Sequence, residues 1–143
     1  MKKIFYLFIL AFNVCFSQLK VSEDKTEFIG KVQFIECSKI NDQINFTYND
    51  HKFTQIDVYK NFQLSENDFN ELYKIIINNF ETVPNDPIKI ETPKDILYLN
   101  YTKNLGVVSL QISHAVDKNP ELIGITRYLT KKQIIKLFGK NND

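Results

Sequence analysis

Three side chains in the body of this sequence are of types that suit nucleophilic or metal chemistry: Cys37, His51 and His114. A thiol nucleophile needs a thiolate, a base beside it and a third group that orients the base. No local signature of that kind surrounds any of the three. Cys37 ends an apolar run, where a free cysteine usually serves as a small buried hydrophobe. A metal ion needs three or four converging ligands. His114 and Asp117 come closest in sequence, but they lie where a strand gives way to a loop, and Asp50 and His51 lie in a turn. No run alternates Asp and Asn as a calcium loop does, and Gly30, Gly106, Gly124 and Gly139 are too scattered to cradle a phosphate. Any two of the 17 acidic residues could converge as a hydrolytic pair, yet no spacing selects one. Neither a metal nor a cofactor is expected, and a small hydrolase using Cys37 or a carboxylate pair is the competing reading rather than the leading one.

Recognition is the better-supported chemistry. From Asp95 to Ala115 two runs alternate on either side of a polar connection, Thr102 to Gly106, in which Asn104 and Gly106 suit the positive φ of a tight hairpin. Leu97, Leu99 and Tyr101 share one face with Val108, Leu110 and Ile112. Tyr98, Asn100, Ser109 and Gln111 share the other. Tyrosine beside asparagine, serine and glutamine on an uncovered sheet face has the composition of a binding surface, so these four are the candidate site. Tyr48, Tyr59, Tyr101, Tyr128, Phe53 and Phe62 add more aromatics than one core face requires.

The elements that would position this face follow from the same patterning. Phe28 to Cys37 reads as one apolar strand with a bulge at Gly30, and Ile44 to Asn49 pairs with Phe53 to Tyr59 across the turn at Asn49 to Lys52. Ser65 is an N-cap with Glu66 and Asp68 in the first turn and a Leu64/Phe69 staple, and the helix it opens runs to Phe80 before Pro84. Ile88 to Pro93 reads as a short edge strand, and Leu122 to Tyr128 as the last strand. Thr130, with Gln133 completing a capping box, opens a short second helix that Gly139 stops. In that helix Lys131 and Lys132 oppose the dipole, which reads first as a solvated face and second as one turned to a partner or an acidic neighbour.

Met1, Lys2 and Lys3 precede nine apolar residues, Ile4 to Phe12, and Cys15 and Ser17 stand at the −3 and −1 positions of a cut before Gln18. Residues 1–17 therefore read as a secretory signal peptide, too short to remain as a membrane span. Lipidation at Cys15 is not expected, because Phe12 and Val14 stand where lipoprotein signals usually carry leucine and a small residue. Loss of Lys2 and Lys3 turns the formal charge of +1 into −1, and Arg127 is the single arginine, so neither nucleic acid nor an anionic membrane is an expected partner. One cysteine then remains, and stability must come from packing rather than disulfides. The signal ending Phe16-Ser17-Gln18, with the bias toward Lys, Asn, Ile and Phe, resembles small exported proteins of the Bacteroidota, which implies a periplasmic or secreted location and nothing about activity.

The expected organisation is a signal peptide (1–17), a flexible leader (18–27) and one α+β domain (28–140). The domain has a mostly antiparallel sheet of five to seven strands, in the order βββα(β)βββα, with two helices packed on one face. The expected function is a noncatalytic extracytoplasmic module that binds a protein or envelope component, a description that an inhibitor or immunity protein would fit. A structural subunit of an envelope assembly, joined through a sheet edge, is a further alternative.

Overall fold

The structure, a computed structural model, describes residues 25–140. The signal peptide and residues 18–24 of the leader lie outside the described residues. The chain folds as α+β, and among the described residues there are nine strands and two α-helices. The strands divide into two antiparallel sheets, each built almost wholly from consecutive hairpins. The first contains β1 (Thr26–Val32), β2 (Ile35–Ile40), β3 (Gln43–Asn49) and β4 (Tyr59–Ser65) in sequence order. The second runs β5 (Ile88–Glu91), β6 (Ile96–Asn104), β7 (Val107–Ala115) and β8 (Ile123–Ile125), with β9 (Leu129–Thr130) also on β7. Helix α1 (Glu66–Thr82) joins the sheets and α2 (Lys131–Leu137) follows β9.

The apolar phase of each strand explains why the sheets face one another. Ile44, Phe46 and Tyr48 from β3 and Phe62 and Leu64 from β4 are buried, as are Leu97, Leu99, Leu110 and Ile112 from the central hairpin. They form one core with Phe69, Leu72, Ile76 and Phe80 of α1 and with Ile134, Leu137 and Phe138 from α2 and its end. Phe138 stacks on Phe69 with ring centroids 4.4 Å apart, and the Tyr101 hydroxyl donates to the Ile76 carbonyl at 3.0 Å. Both helix starts follow their sequence grammar. Ser65 Oγ accepts from the Asp68 N–H, and Thr130 and Gln133 form the reciprocal capping box.

Several expectations need correction. Phe28 to Cys37 is two strands rather than one, split by a two-residue turn at Gln33 and Phe34 in which Gln33 takes φ 53°. Strand β1 also begins at Thr26, inside the expected leader. The partner of β3 is Tyr59–Ser65, with Phe46 opposite Phe62, rather than Phe53 to Tyr59. Residues 50–58 form a loop that Asp50 organises, its N–H donating to the Val58 carbonyl at 2.7 Å and its carbonyl accepting from Phe53 at 3.1 Å. In the central hairpin the turn narrows to Leu105 and Gly106, both at positive φ, and Asn104 completes β6.

Candidate functional site

The four candidate residues come together. Asn100 lies directly opposite Gln111 in the β6–β7 ladder, Tyr98 opposite Ser113 and Thr102 opposite Ser109. All are half-buried on the face turned away from the core, as the alternating burial of the two strands shows. Asn100, Ser109 and Gln111 are each tied to a neighbour rather than to one another. The Asn100 amide donates to Ser113 Oγ at 3.0 Å, Gln111 Nε2 donates to the Thr126 carbonyl at 3.0 Å, and the Thr102 and Ser109 hydroxyls share a bond of 3.1 Å. Side chains tied in this way lose little further freedom when a partner lands on them. Of the other aromatics, Tyr48, Phe62 and Tyr101 belong to the core instead, while Phe53, Tyr59 and Tyr128 are exposed.

The residues considered for catalysis lie elsewhere. Cys37 is fully buried, and burial, with Glu36 adding repulsion, pushes its thiol well above the ordinary range, opposite to what a nucleophilic cysteine needs. His51 is exposed in its turn. His114 is wholly buried in the seam between the sheets, with its Nδ1 2.9 Å from the Tyr48 hydroxyl and its Nε2 3.3 Å from Asp95 Oδ1. Burial holds the imidazole pKa below its usual value despite Asp95, so the neutral ring is the resident form. The Tyr48 hydroxyl then donates to Nδ1, while Nε2 lies near the Asp95 carboxylate without hydrogen-bond geometry, and that carboxylate accepts from the Asp117 N–H at 2.9 Å. Burial likewise pushes the Tyr48 phenol up, with Asp50 and Asp95 adding to the effect.

A second buried polar group adjoins this one. Asp50, fully buried, sits 2.8 Å from Lys60 Nζ and accepts from the Ile125 and Lys52 backbone N–H groups. Burial alone would raise its pKa, but Lys60 and the two N–H donors outweigh it and hold the carboxyl below the usual range. Gly124, opposite His114 in the β7–β8 ladder, lets the backbone close over both groups. A Cβ there would lie 2.7 Å from Lys60 Cδ and would collide with the Tyr48 hydroxyl. The arrangement brings acid, base and hydroxyl together and links the two sheets through Tyr48, His114 and Asp95. The sequence carried a sign of it: Tyr48 continues the phase of Ile44 and Phe46, His114 that of Leu110 and Ile112, and Asp95 that of Leu97 and Leu99.

The seam predicts an acid-sensitive fold. A His114 pKa lowered in the folded state means that the unfolded chain binds the proton more readily, so stability is present above about pH 6.5 and falls as pH drops below it. Asp50, also lowered, adds a second loss as pH falls below about 4. Thermal melts from pH 8 to 5 should show the midpoint falling through the upper window in the wild type and holding level in His114→Gln. A level wild-type profile would contradict a neutral buried His114.

Among the described residues no group of three or more His, Cys, Asp and Glu converges as a metal site, and no helix is long and apolar enough to cross a membrane. No protein-family model, curated protein or solved structure matches the chain.

Proposed function

We propose that the protein is a noncatalytic extracytoplasmic binding module that engages a protein or envelope component through the outer face of β6 and β7, centred on Tyr98, Asn100, Ser109 and Gln111. The observation that carries this reading is the cross-strand polar ladder on that face: a half-exposed tyrosine beside amides and hydroxyls already held in place by Asn100, Gln111 and their partners. Such a surface is pre-ordered by its hydrogen bonds, which lowers the entropy cost of receiving a partner. The competing hydrolase draws no support from Cys37, whose thiol is buried and kept protonated.

The test is co-purification of the tagged full chain with envelope and secreted fractions of its host, beside Tyr98→Ala/Gln111→Ala. A stoichiometric partner is expected whose affinity drops in the variant by roughly 2 kcal/mol, about thirtyfold, as removal of a central anchor usually costs. A partner held equally by both proteins would refute the sheet-face reading.

A further inference from the structure

A groove of about 980 Å³ runs along the free edge of β1, lined on one side by residues 28–33 and on the other by α2 and the turn after it, with Lys132, Lys136 and Lys140 among its residues. Strand β1 pairs only with β2, and among the described residues no backbone hydrogen bond outside that ladder reaches residues 26–33. An unpaired edge of this kind is a template for another strand. The remaining edges are less open. Strand β5 is four residues long between Pro87 and Pro93, β8 spans three, and β4 shares its cleft with Pro93, Lys94 and Asp95.

The side chains of the groove decide what the added strand would be. Lys132 and Lys136 have no carboxylate within ion-pair distance among the described residues, whereas Lys31 is paired with Glu36 and Lys131 with Glu81. Phe28, 62% exposed, stands on the outer side of β1 opposite Ser38. A second copy of the chain would bring further lysines to a groove already lined by Lys132 and Lys136, and like charges disfavour self-pairing along this edge. An extended acidic segment reverses the sign: residues of one parity meet the lysines of α2 and those of the other parity lie beside Phe28.

We propose that the β1–α2 groove accepts an extended acidic polypeptide segment of a partner protein, which adds to β1 as a fifth strand of the first sheet. This surface is separate from the outer face of β6 and β7, and its occupation does not depend on that face. It also gives a role to Lys132, which α2 carries against its own dipole in its first turn.

The probe is a fluorescein-labelled ten-residue peptide alternating glutamate and valine, titrated into the purified full chain and read by anisotropy. Saturable binding is expected, weakening as salt rises and falling at least tenfold in Lys132→Glu/Lys136→Glu, since about 1.4 kcal/mol lost is a factor of ten. A glutamate at 132 suits the dipole of α2 and one at 136 opposes it, so the two effects largely offset at exposed positions, and a melting curve checks that the variant is folded. The same peptide with alternate amides N-methylated, unable to extend the ladder, should not bind, and Tyr98→Ala/Gln111→Ala should bind as the wild type does. Absence of binding, equal binding by the charge-reversed variant, equal binding of the N-methylated peptide, or loss of binding in the sheet-face variant would each overturn the proposal.

Discussion

Gly30→Ala is expected to cost about 3 kcal/mol of stability, at the upper end of what overpacking usually exacts. A Cβ at this position would lie 2.5 Å from the Leu137 carbonyl oxygen and would collide with that of Lys136. Both obstacles are backbone atoms in the last turn of α2, which cannot turn aside as a flexible side chain would. The helix must therefore lift from β1, and with it Phe138 leaves its stack on Phe69. Urea denaturation should show the midpoint falling at an unchanged slope, and hydrogen exchange should accelerate first in residues 131–137. Gly106→Ala separates sterics from backbone strain, because that glycine sits at φ 84° with open space around it and should lose only about 1 kcal/mol. Equal losses at the two positions would show that α2 is not seated on Gly30 as described.

Asp50→Ala should be about as costly, near 3 kcal/mol, at the low end for breaking one side of a buried ion pair because Lys60 retains a path to water. The substitution removes the acceptor for the Ile125 and Lys52 N–H groups and leaves Lys60 beside the buried Tyr48 ring. Asp50→Asn keeps an oxygen for the two N–H donors and gives up only the charge, so it should lose about half as much. Chemical denaturation of the three proteins at pH 7 orders them. If the alanine and asparagine variants fell together, the carboxylate charge rather than the backbone bonds would carry the whole effect.

Local grammar made much of this fold legible. The caps at Ser65 and Thr130, the staple from Leu64 to Phe69, and the central hairpin with its two phases all rest on residues within a few positions of one another, and the structure follows them. The split at Gln33 was hidden because a glutamine occupies a positive φ where glycine or asparagine would have marked the turn. The pairing of β3 was misread because β-prone residues of the 53–59 loop looked like a strand, while hydrogen bonds around Asp50, including those to Ile125, decide otherwise. Tyr48, His114 and Asp95 could each be seen as polar residues in an apolar phase. Their meeting across two sheets depends on how the sheets pack, which no local pattern encodes. The four residues of the proposed binding face were legible because a sheet face is set by alternation alone.

The seat of α2 on β1 also fixes the order in which the molecule can be completed. Strand β1 holds a glycine-sized gap for carbonyls of Lys136 and Leu137, which follow every other strand of the described residues. Each sheet can form by zipping neighbouring strands, a local and fast process, but the core that receives Ile134, Leu137 and Phe138 stays open until the final helix arrives. A chain emerging amino-terminus first therefore keeps this core open until α2 is made, and termination before residue 134 leaves Phe46 and Phe69 uncovered rather than producing a smaller stable domain.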